Sequence, residues 1–362
     1  MAYSATMKLV TVICCCLLAA VASEARGQSY PAPVDGDFVV RDYRFESGET
    51  LPEVRLHYRT VGVPRKDASG AVRNAVLIPH GTGGSGRGFL TDGYAGQLFG
   101  KGQLLDAERY FIILPDNVGH GQSSKPSDGL RMTFPQYRYT DMVRLQHRLV
   151  TEGLGVRRLR LIVGTSMGAM HTWMWGYMYP DAADGLVPLA SNPVEIAGRN
   201  RVWRKALIDA IVTDPTWQNG NYTEQPRGMA SAMGFLLMAT SVPLQWQKQF
   251  PTREATDAWM AAQVASRLET SDANDMLYYF RASEDYDPSP HLEKITAPLL
   301  AINSADDFAN PPELPMMEES IKRVRRGRFV LIPISDATRG HGTHSLPHVW
   351  GGELKRFIES LK

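Results

Sequence analysis

Cysteine is almost missing from this chain of 362 residues: there are three, and they sit together as Cys14, Cys15 and Cys16. A disulfide framework spread through the sequence is thereby excluded, and so is chemistry built on a scattered set of thiols. Charge of one sign is also lacking. Lys and Arg number 39 against 38 Asp and Glu, a formal net charge of +1, and no long basic block occurs. The electrostatic footprint of a nucleic-acid binder or an anionic-membrane binder is absent. No internal repeat or low-complexity tract interrupts the chain. Its length suits one large α/β domain with an insertion, or two small domains.

Long apolar runs are scarce as well. The one at the start, LVTVICCCLLAAVA over residues 9–22, follows Lys8 and ends in small residues. It is too short to cross a bilayer comfortably and reads as the apolar region of a secretory signal peptide, residues 1–25. Cleavage after Ala22 or after Ala25 satisfies the small-residue rule, and an uncut anchor is the competing reading. Cleavage removes all three cysteines, so the exported protein, periplasmic or secreted, is expected to hold no disulfide. A domain of this size stabilises itself through its core.

What the rest contains is a series of apolar strands. The segments 38–45 and 52–62 read as early strands joined by a hairpin loop. Runs at 74–81, 109–117, 159–164, 184–191, 298–307 and 328–335 follow, most of them apolar nearly throughout and ending in polar, Gly or Pro residues. Helical patterns fall between them, including 140–155, 169–179 and 349–361. Such a series predicts a mostly parallel sheet covered by helices on both faces. Residues 194–290 break the alternation: they hold no convincing strand, many helical stretches, and a concentration of Trp and Met. This segment is expected to be a helical lid inserted into a core made of 26–193 and 291–362. Its Trp and Met residues are expected mostly to pack the lid, with some facing the cleft.

The sequence Gly164-Thr165-Ser166-Met167-Gly168 joins the 159–164 strand to a helix. Glycines two positions before and two after a serine mark a cramped turn that pushes the hydroxyl outward. A serine hydroxyl is a poor nucleophile alone and needs a base, oriented in turn by an acid. Asp306 and Asp307 end the 298–307 run, and Asp307, four residues before Pro311, is preferred as the acid. The base is sought after the last strand, where His341, His344 and His348 lie. His341, beside Gly340 in a glycine-containing loop, is preferred over His344, and His348 is placed at the start of the last helix. The H-x-x-H-x-x-x-H spacing also raises a metal site, but Pro347 breaks the helical spacing and no carboxylate is near, so no metal and no cofactor are expected. The glycine-rich loop PHGTGGSGRG, 79–88, follows the third apolar run. Backbone N–H groups of Thr82 and of Met167 are the expected donors to a developing oxyanion.

The order strand–Ser–helix, then Asp, then His resembles that of the α/β-hydrolase fold. DNVGHGQSSKP, 116–126, is similar to a loop of general α/β hydrolases. GTSMGAMHTWMWGYMYP, AIVTDPTWQNGNYTEQPRGM (210–229) and DANDMLYYFRASEDYDPS (272–289) resemble the homoserine O-acetyltransferase branch of that superfamily across nearly all of 38–361. The resemblance implies a lid at 194–290, a Ser166–Asp307–His341 triad, an acyl-enzyme route and a possible homodimer. It also exposes departures. An arginine that holds the substrate carboxylate in that family corresponds here to Met233. An aspartate that follows the family's catalytic histidine corresponds to Gly342, and Ala169 replaces a glycine. Losing the charge pair argues against a zwitterionic amino-acid substrate. The expected activity is serine-dependent hydrolysis of a small-molecule carboxylic ester, with acyl transfer to another acceptor as the alternative and a non-catalytic binding protein as a third reading. An apolar lid suggests an uncharged substrate. Nucleic acid and stable membrane insertion after signal cleavage are not expected.

Overall fold

The computed structural model describes residues 30–361. The segment read as a signal peptide, with its three cysteines, lies outside them. Eight strands form one sheet in the order β1-β2-β4-β3-β5-β6-β7-β8. They are β1 Val34–Arg44, β2 Thr50–Val61, β3 Ala75–Leu77, β4 Phe111–Pro115, β5 Leu161–Thr165, β6 Leu186–Leu189, β7 Leu299–Ser304 and β8 Gly327–Ile332. β1 and β2 form the predicted hairpin, and β2 runs antiparallel to β4. From β4 to β8 every pairing is parallel. The central strands β3 to β7 are wholly buried, which is why they read in the sequence as unbroken apolar runs.

Ten α-helices accompany the sheet among the described residues: α1 Ala95–Leu98, α2 Tyr139–Arg148, α3 Met167–Met178, α4 Gly198–Val212, α5 Gly228–Ala239, α6 Pro243–Gln249, α7 Arg253–Thr270, α8 Ala273–Arg281, α9 Met316–Ser320 and α10 Pro347–Ser360. Alternate residues of β3 and β4 divide between two apolar layers. Leu77 and Ile113 join the layer holding α2 and α3, with Trp173 and Trp175. Val76, Ile112 and Leu114 join the layer holding α1 and α10, with Trp350 and Phe357. Helix α3 is buried at every position from Met167 to Gly176, and its sequence is correspondingly apolar around the whole circumference.

Helix bounds differ from the sequence reading by a few residues. The helix predicted over 140–155 ends as α2 at Arg148, and the chain runs on through a wider turn to Gly153. The helix after the serine begins at Met167 and not at 169. Between β6 and β7 the chain forms α4 to α8 and no strand. These helices have an apolar cluster of their own, built on Leu207, Ile211, Trp217, Met229, Met233 and Leu277. No helix among the described residues is long and apolar enough to cross a membrane.

Candidate active site

The turn from β5 into α3 explains both of its glycines. A Cβ on Gly164 would lie 2.0 Å from the carbonyl oxygen of Gly168, and one on Gly168 would lie 2.0 Å from the carbonyl oxygen of Pro79. Between them Ser166 takes φ 53° and ψ −114°, a left-handed backbone that a residue with a Cβ adopts at a cost. The surroundings enforce it. The Ser166 N–H donates to the Leu189 carbonyl of β6 at 2.9 Å, while the Ser166 carbonyl accepts from Ala169 and Met170 at the start of α3.

The hydroxyl that this turn presents meets a histidine. Nε2 of His341 lies 2.8 Å from Ser166 Oγ, and Nδ1 of the same ring lies 2.9 Å from Oδ2 of Asp307. Asp307 is 1% exposed. Burial alone would raise its pKa, but the facing His341, the Asn310 side chain and the Ala309 N–H hold it below the ordinary carboxylate value. An ionised carboxylate only accepts, so Nδ1 of His341 carries a proton and Nε2 is left as the acceptor for the serine O–H.

The neighbouring candidates are engaged elsewhere. Asp306 accepts from the hydroxyls of Ser304 and Thr338. His344 packs edge-on to His341 with ring centres 5.3 Å apart, and its Nδ1 contacts Ser345 Oγ. His348 lies in the first turn of α10. The structure therefore brings together Ser166, His341 and Asp307, and does not bring Asp306, His344 or His348 into that chain of hydrogen bonds. No three His, Cys, Asp or Glu side chains converge as metal ligands among the described residues.

The glycine-rich loop packs against the serine. A Cβ on Gly81 would be 3.3 Å from Ser166 Cβ, so only a glycine brings the backbone this close without displacement. Thr82 follows directly and lines the same cavity. Met167, the other expected donor, is fully buried as the first residue of α3. Sequence reasoning missed the residue that braces this loop. His80 Nδ1 donates to the Gly81 carbonyl at 2.7 Å while its Nε2 accepts the Asn117 N–H at 3.1 Å. Burial lowers the His80 pKa, which keeps the ring neutral and fits this donor-and-acceptor pair. Asn310 was missed too, although a side-chain amide three residues after a candidate acid was visible in the sequence.

Over Ser166 lies a cavity of about 390 Å³. Its floor holds His80, Thr82, Ser166 and His341, and its roof comes from α4, α5, α7 and α8 through Trp203, Arg204, Leu236, Arg267 and Phe280. Most Trp and Met residues of the segment between β6 and β7 pack within it, as with Trp217 and Met229, or lie near the surface, as with Met238 and Met260.

A family described as having the alpha/beta hydrolase fold matches residues 74–331. A homoserine O-acetyltransferase of Pelobacter propionicus is 30% identical over 358 residues, covering 88% of this chain and 94% of the relative. A solved homoserine O-acetyltransferase from Bacillus anthracis superimposes with a TM-score of 0.79 at 22% identity, covering 91% of this chain and 98% of the other. The solved esterase E22 does so equally well, with a TM-score of 0.79 at 18% identity over 90% of this chain and 100% of its own. At those identities the two structures speak to fold alone, whereas the sequence relationship extends over most of both chains. The chain belongs to the α/β-hydrolase fold family, in the branch that contains the homoserine O-acetyltransferases.

Proposed function

We propose that this protein hydrolyses carboxylic esters through an acyl-enzyme on Ser166. The observation that carries this reading is the chain of two hydrogen bonds from Ser166 Oγ through His341 to Asp307. In the first step His341 Nε2 takes the serine proton as Oγ attacks the ester carbonyl. In this reading the backbone N–H groups of Thr82 and Met167 donate to the oxygen that becomes negative. The C–O bond to the alcohol then breaks, and the alcohol leaves with the proton held by His341. A water molecule deprotonated by the same nitrogen attacks the acyl carbon, releasing the acid and restoring Ser166. Asp307 keeps the His341 tautomer fixed and balances the imidazolium formed in both steps.

Hydrolysis is preferred over homoserine acylation because the charged pair expected for a zwitterionic acceptor is replaced by Met233 and Gly342. Met233 is buried in the apolar cluster of the roof helices. Purified protein should release p-nitrophenol from short p-nitrophenyl esters, and Ser166→Ala should remove that activity while circular dichroism stays as in the wild type. Equal turnover by the variant would reject the proposal.

Acyl transfer to another alcohol or amine is the second reading, favoured by the sequence relationship to an acetyltransferase. Both readings use the same acyl-enzyme and differ in what attacks it. Product analysis with competing alcohols and amines separates them: transfer that outpaces hydrolysis at millimolar acceptor would favour the transferase. We also place the protein outside the cytoplasm, on the strength of the 1–25 segment. N-terminal sequencing of protein recovered from periplasm and medium tests this, and a start at Ala2 or Met7 in cytoplasmic protein would refute it.

A further inference from the structure

The wall of the cavity over Ser166 contains two cations and no carboxylate. Arg204 of α4 and Arg267 of α7 line it, and neither Asp nor Glu does. Two of its histidines add no charge at neutral pH: burial lowers His80, and desolvation with the adjacent His341 lowers the partly buried His344 to about 3. Asp307 stands behind the wall, committed to His341, Asn310 and the Ala309 N–H.

Arg204 is the unusual group. It is 5% exposed, yet its partners are all neutral. Nε donates to Asn200 Oδ1 at 2.8 Å and Nη1 reaches Ser283 Oγ at 3.4 Å. Its guanidinium lies 4.8 Å from the ring centre of Trp203 and 5.4 Å from that of Phe280. Burial pushes its pKa down, opposed by the nearby Tyr139 hydroxyl, and no carboxylate is among the groups acting on it. A guanidinium has five N–H donors and is rarely buried without an anion. This same chain shows the ordinary arrangement at Arg59, which is 6% exposed and has Asp35 at 2.9 Å and Asp116 at 3.5 Å. Arg267 repeats the deficit, since its Nε is buried without any hydrogen-bond partner.

We propose that the missing anion belongs to the substrate: an ester carrying a carboxylate, held by Arg204 with Arg267 as the outer cation. This rests on the ester-hydrolase reading of Ser166 and narrows its substrate class. It also reverses the sequence-based expectation of an uncharged substrate. That expectation rested on the apolar composition of the lid, whereas two of the lid helices, α4 and α7, each send an arginine into the cavity wall. With Gly342 contributing no anion and no carboxylate in the wall, the cavity offers an ammonium group no anionic partner. The chemistry fits either a monoester of a dicarboxylic acid, with the charge on the acyl side, or an O-acyl hydroxy acid, with the charge on the alcohol side.

Matched pairs of esters distinguish these sources. Mono-4-nitrophenyl glutarate is compared with its methyl ester, and 3-acetoxypropanoate with 3-acetoxypropanamide. The wild-type protein should favour the anionic member of at least one pair in kcat/KM by on the order of 10²-fold. Which pair shows the preference identifies the side bearing the charge. Arg204→Gln should collapse the anionic-to-neutral ratio, Arg204→Lys should restore part of it, and Arg267→Gln should lower it by a smaller factor. The last two variants keep the test open where Arg204→Gln fails to fold. Equal or poorer turnover of both anionic members by the wild type overturns the inference and leaves the hydrolase reading standing. Should no ester be turned over, calorimetric titration of Ser166→Ala protein with glutarate and with 3-hydroxypropanoate still reads the cation pair: binding that Arg267→Gln weakens supports it, and no binding of either overturns it.

Discussion

The imidazole Nε2 of His341 lies 2.8 Å from the Oγ of Ser166, although 175 positions of chain separate the two residues. The serine is fixed by the β5–α3 turn and the histidine by the loop that follows β8. Their meeting depends on the sheet order that places β5, β6, β7 and β8 side by side.

Replacement of Ser166 by glycine separates the roles of its backbone and side chain. The residue occupies a left-handed conformation that glycine adopts freely. Ser166→Gly should abolish ester hydrolysis yet raise stability by about 1 kcal/mol, the low end of the strain stored at such positions. Urea unfolding of the variant beside Ser166→Ala checks this, since alanine retains the Cβ and should show no such gain.

The two adjacent aspartates should behave differently. Asp307→Asn leaves His341 without a carboxylate to fix its tautomer, and kcat should fall on the order of 10³–10⁴-fold. Asp306→Asn keeps an acceptor for one of the Ser304 and Thr338 hydroxyls and offers the other an N–H that its oxygen can accept, so kcat should change by less than about tenfold. Likewise His341→Gln should remove activity, while His344→Gln keeps a measurable fraction. Steady-state kinetics on the four variants would expose an inverted assignment at once.

Adding one methyl group to either flanking glycine should be severely damaging. Gly168→Ala drives a Cβ into the Pro79 carbonyl, and Gly164→Ala drives one into the Gly168 carbonyl. Both contacts are with backbone, which has no rotamer to escape into. A loss of about 3–5 kcal/mol is expected for each, at the upper end of single substitutions. Gly88→Ala, in open space, is the control and should cost under about 1 kcal/mol. Chemical denaturation midpoints report all three.

Acid should weaken the fold through its histidines, opposed only by carboxylates such as Asp275, which burial raises to about 6. Burial depresses His171 to about 3, with His80 adding to the effect, and burial together with His341 depresses His344 to a similar value. Burial also lowers His80 and His120. Unfolded histidines bind a proton near pH 6.5, so below that pH the unfolded chain takes up protons that the folded protein excludes. Stability is therefore full above about pH 6.5 and declines as pH falls toward about 3. Each such histidine contributes a slope of up to about 1.4 kcal/mol per pH unit. Urea midpoints between pH 7.5 and 5 measure it, and His171→Gln should flatten the slope; a pH-independent midpoint would contradict the burial of neutral rings.

Local rules wrote a good part of this protein into its sequence. Strands buried on both faces must be apolar along most of their length, so β3 to β7 were visible as runs. A turn that tolerates no Cβ at two positions must carry two glycines, so the bend at Ser166 was visible too. The same physics hid other things. Asp306 and Asp307 are chemically identical neighbours, as are the histidines at 341 and 344. Which aspartate faces His341, and which histidine faces Ser166, is set by loop contacts through Ser304, Thr338, Asn310 and Ser345 that no local pattern encodes. The charge of the cavity was hidden in the same way. An arginine on an amphipathic helix reads as a surface residue, and only the packing of α4 and α7 over the strand ends turns Arg204 and Arg267 inward. Nearest-neighbour sterics fixed the nucleophile's corner, whereas the acid, the base and the cations of the cavity were decided by elements that meet only when the chain is folded.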